Sequence, residues 1–198
     1  MKNIIFDIGN VLLSFHPEEF LSQYYDKKVM GDLMTIIFCS DDWIQLDLGN
    51  ITIEEIASKL AYEHPDYHDE IIFILKNWTK MMLPIKENVE ILYQLKDKGY
   101  PLYILSNFHS EAIQEMFDKY DFFQLFDGKV ISAYEHTIKP SYKIYQILLD
   151  RYHLIADESL FIDDSLANIV IAQDIGIHGI HFKFGTNLKQ ELKNIGVL

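Results

Sequence analysis

LFIDD, residues 160–164, is an apolar run stopped by two carboxylates. A short uncharged stretch that ends in acid is how a strand buried on both faces of a sheet reads in sequence. Four other runs are built alike: IIFD at 4–7, PLYILSN at 101–107, KVIS at 129–132 and GIHF at 179–182. Between the later runs, residues 86–98, 110–120, 141–152 and 165–174 follow helical periodicity. The first of these segments carries Val89, Ile91, Leu92 and Leu95 and is followed by Gly99, a residue suited to the left-handed turn that ends a helix. Strand and helix in alternation predict an α/β fold, a Rossmann-like parallel sheet with helices on both faces.

Residues 15–83 have a different texture. No convincing strand occurs there, and helices are expected over 17–25, 31–38, 52–63 and 67–82. Thr52 and Glu55 have the spacing of a capping box, which marks a helix start. The block lies between the first strand and the rest of the sheet. The expected organisation is an α/β core of residues 1–14 and 84–198 with a small helical cap, residues 15–83, inserted after the first strand.

The chain has 198 residues, enough for one domain or one domain carrying an insert. Its 17 basic and 30 acidic residues give a net charge of −13, which repels phosphate backbones and anionic lipid. Neither nucleic acid nor membrane is an expected partner, and charge of this size favours solubility without specifying an assembly. A single cysteine, Cys39, excludes an internal disulfide and a cysteine metal cage, and is expected to be a buried thiol. No apolar run approaches the roughly 18 residues of a membrane span. MKNIIFDIGN runs directly into the first strand, so a cytoplasmic protein is expected.

In an open α/β sheet, ligands bind beyond the carboxyl ends of the strands. Those ends carry Asp7, Ser106 with Asn107, and Asp163 with Asp164, while Lys139 and Pro140 follow the third strand in a loop. Each residue alone has an ordinary role as a helix cap or turn former. Together they gather three carboxylates, a hydroxyl, an amide and a lysine. Crowded carboxylates repel one another unless a cation sits among them, and hard oxygen ligands favour Mg²⁺. A lysine in such a site suggests an anionic substrate, most simply a phosphate.

These segments resemble the motifs of the haloacid dehalogenase superfamily, in the branch of small phosphatases whose helical cap follows the first strand. The resemblance spans the chain: FDIGNVLL at 6–13, LSN at 105–107, Lys139-Pro140, and FIDDSLANI at 161–169. Asp-x-Gly-Asn-Val at the start is similar to the bacterial α-D-glucose-1-phosphate phosphatases. The resemblance implies a Mg²⁺-dependent phosphatase for a small phosphorylated metabolite, such as a sugar phosphate like glucose 1-phosphate, working through an aspartyl-phosphate. Asp7 would be the nucleophile. The metal would be held by Asp7, the Gly9 carbonyl and Asp164, with Asp163 and Asn168 lying one layer out. Ser106, Asn107 and Lys139 would hold the phosphoryl oxygens.

One position departs from the pattern. Most phosphatases of this superfamily have a second aspartate two residues after the nucleophile, acting as general acid and base; here that place is Gly9. Such help is worth about 10²- to 10⁴-fold. A sugar 1-phosphate, whose anomeric leaving group is less basic, should tolerate the loss better than a 6-phosphate. His16 and His109 are candidate substitutes, although His16 reads more simply as a surface or hinge residue. His136 reads as an ordinary loop residue, and WIQLDLGN at 43–50 as cap core or pocket lining. Two competing readings keep the fold: a metal-free dehalogenase using Asp7, and a regulatory protein that binds phosphate without turnover.

Overall fold

The computed structural model describes residues 1–183 and 185–198. Five strands form one parallel sheet: β1 (Asn3–Phe6), β4 (Leu102–Ser106), β5 (Gly128–Ile131), β6 (Ser159–Asp163) and β7 (His178–His181). Their order is β5-β4-β1-β6-β7. β1 is central, and the chain winds first to one side of it and then to the other, which puts the topological switch point at its carboxyl end.

Alternation along the strands fills both faces. Ile4, Phe6, Leu102, Ile104, Leu160 and Ile162 join one apolar cluster, while Ile5, Tyr103, Leu105 and Phe161 join the other. Helices α6 (Lys86–Asp97), α7 (Ser110–Lys119) and α11 (Leu188–Asn194) cover the first face, and α9 (Tyr142–Tyr152) and α10 (Leu166–Asp174) the second. The short α8 (Ser132–Glu135) follows β5 directly.

The remaining helices are α1 (Pro17–Leu21), α2 (Lys27–Leu33), α3 (Asp41–Asp47), α4 (Ile53–Glu63) and α5 (His68–Asn77). Their buried residues, among them Leu21, Leu33, Ile56 and Ile74, join the cluster on the first face of the sheet without a break. The capping box at Thr52 is formed in both directions. The helix expected over 67–82 breaks after Asn77, whose side chain bonds the Phe73 carbonyl at 2.7 Å and competes with the backbone ladder. A 3₁₀ turn, Trp78–Met81, follows.

Three further features differ from the sequence reading. Leu83, expected in a strand-free block, lies in β3 (Leu83–Pro84), which pairs antiparallel with β2 (Leu13–Ser14). α3 is a separate helix, started by Ser40, whose side chain accepts from the Trp43 N–H. Cys39 is exposed rather than buried. α2 runs on into a π-helical turn, Met34–Phe38, that buries Ile37, and Cys39 caps that turn off the buried side. Among the described residues no helix is long and apolar enough to cross a membrane.

Candidate active site

β1 delivers Asp7 to the switch point, its backbone N–H bonded to the Ile162 carbonyl at 2.9 Å. Ser106, at the end of β4, donates its hydroxyl to Asp7 Oδ1 at 2.7 Å. Lys139 Nζ lies 2.9 Å from Asp7 Oδ1 and 2.7 Å from Asp163 Oδ2. Asp163 is fully saturated: beyond Lys139, Asn168 Nδ2 reaches both its oxygens at 3.0 Å and the Ser165 N–H donates to Oδ1 at 2.7 Å. Asp7, Lys139 and Asp163 are 7%, 3% and 0% exposed, so water does little to screen these contacts.

Burial pushes the Asp7 carboxyl up to about 7; Lys139 pulls against it, Asp163 adds to it, and the Ser106 hydrogen bond lowers it. Burial also works against the Lys139 charge, but Asp7 and Asp163 overcome it and hold the ammonium above the ordinary lysine value. Lys139 is therefore a fixed cation.

Asp164 stands beside this array, with one hydrogen bond from Asn10 Nδ2 to Oδ2 at 3.1 Å. Burial raises its pKa, with Asn10 opposing. Carboxylate oxygens of Asp7, Asp163 and Asp164 lie within 4.8 Å of one another. With all three ionised, the carboxylates against one ammonium leave two negative charges in excess, and the donors are all hard oxygens. That donor set fits a divalent cation such as Mg²⁺. Asp163 has spent its lone pairs on protein donors, whereas Asp164 has not, so Asp7 and Asp164 are the carboxylates able to bind one directly. Gly9 lies two residues from Asp7 with its φ outside the left-handed region, and a Cβ built there would meet nothing within 4 Å.

Asn107 comes to the site, but its side-chain amide is used on the backbone of Lys139: Nδ2 donates to the Lys139 carbonyl at 3.0 Å and Oδ1 accepts the Lys139 N–H at 2.8 Å. It clamps the lysine loop to the end of β4.

The opposite wall is aromatic. Gly9, Phe15, Trp43, Asp47, Trp78, Met82, Asn107, Phe108 and His109 line a cavity of about 120 Å³. His109 is buried between two indoles, its ring centroid 4.7 Å from Trp43 and 4.7 Å from Trp78. Its Nε2 is 3.5 Å from Asp47 Oδ1, and its Nδ1 is buried without a hydrogen-bond partner. Burial holds this imidazole down to about 3, so it is neutral. Burial, then repulsion from Asp7, raises Asp47 to about 7, with Lys139 opposing. His16 is exposed at the start of α1 and lines neighbouring grooves rather than this cavity, one of them together with Asn10 and Asp164. His136 does more than a loop residue: its Nδ1 is 2.9 Å from the Leu48 carbonyl.

The model for haloacid dehalogenase-like hydrolases matches residues 21–182. The chain belongs to that family. It is 29% identical over 195 residues to a sesquiterpene phosphatase of Aspergillus oryzae, covering 98% of this chain and 96% of that one. A D-ribitol-5-phosphate phosphatase of Bacteroides thetaiotaomicron is 28% identical over 213 residues, covering 97% of each. A family enzyme of Bacteroides thetaiotaomicron, solved as an Asp-to-Ala mutant with magnesium and inorganic phosphate, superposes with a TM-score of 0.78 at 21% identity, over 96% of this chain and 98% of that one.

Sequence reasoning gave no individual role to Asn10, Asp47 or Ser132, although Asp47 lies in the segment 43–50 expected as cap core or pocket lining. Asn10 accepts the Phe15 N–H at 2.9 Å while reaching Asp164, and so ties the first motif to the fourth. Ser132 receives the Phe108 N–H and donates to the Asp47 carbonyl. It ends the run KVIS, so the strand-end rule that selected Asp7 and Ser106 also points to it. Asp47 carries no comparable mark.

Proposed function

We propose that this hydrolase is a Mg²⁺-dependent phosphatase of small phosphate monoesters. The observation that carries the reading is the buried array of Asp7, Lys139 and Asp163 at the switch point of the sheet. Asp7 attacks phosphorus, the bond from phosphorus to the leaving oxygen breaks, and an aspartyl-phosphate forms that water then opens. Lys139 and Ser106 neutralise and orient the phosphoryl oxygens, and Asn107 fixes the backbone of Lys139. Asp7, the Gly9 carbonyl and Asp164 would hold Mg²⁺, which when bound would supply positive charge against the transferring group. Asp163 and Asn168 orient its surroundings from one layer out, consistent with the saturated carboxylate of Asp163. Residues 15–83 act as a cap over the core of residues 1–14 and 84–198 and wall the leaving group.

The cavity beside the site, about 120 Å³, is close to the roughly 150 Å³ that accepts a benzene ring. Indole walls and a carboxyl suit one ring that offers both C–H faces and hydroxyls. A sugar 1-phosphate such as glucose 1-phosphate meets this description. The phosphatases of Aspergillus oryzae and Bacteroides thetaiotaomicron support the reaction class without deciding the leaving group. Glucose 1-phosphate, glucose 6-phosphate, ribitol 5-phosphate, farnesyl phosphate and p-nitrophenyl phosphate should be assayed with Mg²⁺ and with EDTA. Turnover that vanishes with EDTA and is fastest on the ring 1-phosphate is the expected result. No phosphate release from any ester would overturn the phosphatase; turnover undiminished by EDTA would overturn the metal.

A further inference from the structure

The loop after Asp7 has no second carboxyl, yet one reaches the same cavity from another part of the chain. Asp47 ends α3 and shares the cavity lining with Gly9 and Asn107. A Cβ at Gly9 would meet nothing within 4 Å, so the place where a side chain would normally stand is open space.

Three contacts hold Asp47 there. The Ser132 hydroxyl donates to its carbonyl, and His136 Nδ1 lies 2.9 Å from the carbonyl of Leu48. Gly49, at φ +68°, sits so close to α8 that a Cβ would come within 2.3 Å of the Ala133 carbonyl oxygen. The end of α3 is thereby docked on the helix that follows β5. Its register over the site is set by the core.

We propose that Asp47 is the proton donor and acceptor of this site, supplied by the inserted helices in place of a carboxyl at position 9. The proposal rests on the phosphatase reading above. As Asp7 Oδ attacks phosphorus and the ester bond breaks, the electron pair stays on the leaving oxygen, which takes the proton of the Asp47 carboxyl. The resulting carboxylate then removes a proton from the water that attacks the aspartyl-phosphate, releasing inorganic phosphate and restoring the Asp7 carboxylate and the Asp47 acid.

Asp7, Lys139 and His109 are the charged and titratable groups that act on Asp47. Only Lys139 favours its ionised form, and that ammonium already has Asp7 and Asp163 as closer partners. A carboxyl rising to about 7 keeps its proton into neutral pH, as a general acid must. His109 cannot take this part as an imidazolium, being neutral, and acts instead as a positioning residue beside Asp47 Oδ1.

The test is Asp47→Asn, which keeps the shape and removes the exchangeable acid. With Mg²⁺, kcat on glucose 6-phosphate, whose leaving group needs a proton, should fall by about 10²- to 10⁴-fold. On p-nitrophenyl phosphate it should fall less than about tenfold, with KM little changed on either. Adding Gly9→Asp to that variant should restore at least about tenfold on glucose 6-phosphate, the open space accepting the new side chain. Beryllium fluoride capture on Asp7 and the melting temperature monitor the fold and the nucleophile. Equal losses on both esters with capture intact would overturn the role of Asp47, as would no loss at all. If Asp47→Asn fails to fold, Asp47→Glu, which keeps the acid, must retain the wild-type ratio between the two esters or the proposal falls. A wild type that releases phosphate from none of the esters assayed would instead sink the phosphatase reading itself.

Discussion

Lys139 and His109 are each only 3% exposed, yet burial leaves them in opposite charge states. Lys139 has a carboxylate oxygen on either side at 2.9 and 2.7 Å and stays charged. His109 lies between two indoles with Nδ1 unpartnered, and it is neutral. The strand-end wall thus holds a fixed ammonium between carboxyl groups, while the aromatic wall suppresses charge. Desolvation acts on both; the partners decide which form survives. A phosphoryl group requires the first environment, and a proton delivered at neutral pH requires the second.

Breaking the charged wall should have the largest effects. Asp7→Asn should leave the fold intact and reduce turnover by about 10⁴-fold or more, and beryllium fluoride should no longer form an acyl-phosphate mimic. Activity within tenfold of wild type, or an adduct elsewhere, would remove Asp7 as nucleophile. Lys139→Met should lower kcat by about 10²- to 10³-fold and also cost about 3–5 kcal/mol of stability, because two buried carboxylates lose their cation. Denaturant unfolding would measure this.

The two adjacent aspartates sharpen the contrast further. Asp164→Asn should abolish most of the Mg²⁺ affinity and leave the melting temperature of the cation-free protein nearly unchanged. Asp163→Asn should spare more of the affinity and lower the melting temperature, since its carboxylate holds Lys139, Asn168 and the Ser165 N–H. Calorimetric titration with Mg²⁺ and thermal melts separate them; the reverse ranking would mean that the cation is bound by Asp163.

The raised carboxyls make stability depend on pH. Asp7 and Asp47 go from the ordinary 3.8 to about 7 in the folded chain, so the fold binds protons more tightly than the unfolded chain in that interval. Their contribution is therefore full below about pH 4 and is lost as pH rises through about 7. Cation-free protein should melt lower at about pH 8 than at about pH 5, and Mg²⁺ should raise the melting temperature more at the higher pH. The smallest expected effect is Gly49→Ala. A left-handed φ on a residue with a Cβ costs about 1–2 kcal/mol, which for a chain of this size is roughly 2–8 °C in melting temperature, and the approach of that Cβ to within 2.3 Å of the Ala133 carbonyl oxygen adds to the loss. Its activity loss should fall on glucose 6-phosphate more than on p-nitrophenyl phosphate, because the helix that carries Asp47 is displaced.

The charged wall was legible in the sequence, the aromatic wall only in part: His109 and the segment 43–50 stood out as candidates, but not their meeting with Trp78. An apolar run stopped by Asp or Ser is a local signature, and Asp7, Ser106 and Asp163 each end such a run. Trp43, Asp47, Trp78 and His109 meet only because helices far apart in sequence pack over one cavity, and no spacing along the chain announces that. The same limit hid β2 and β3, two residues each, and α3, whose start is marked only by Ser40. Cys39 was expected to be buried for want of a charged neighbour in the sequence, a criterion that takes no account of the π turn that ends just before it and leaves it exposed.

The pairing of β2 with β3 places Ser14 and Leu83, 69 residues apart in sequence, within hydrogen-bonding distance. The chain leaves the sheet and returns to it through adjacent doorways. Lengthening the segment between them leaves the distance to be closed unchanged, and each doubling of a flexible loop adds only about 0.6 kcal/mol to closing it. The intervening helices could therefore grow, shrink or be exchanged without moving Asp7 or Lys139. Such a join behaves as a socket, in which one phosphoryl-transfer centre can be fitted with a new leaving-group chamber and, with it, a new proton donor.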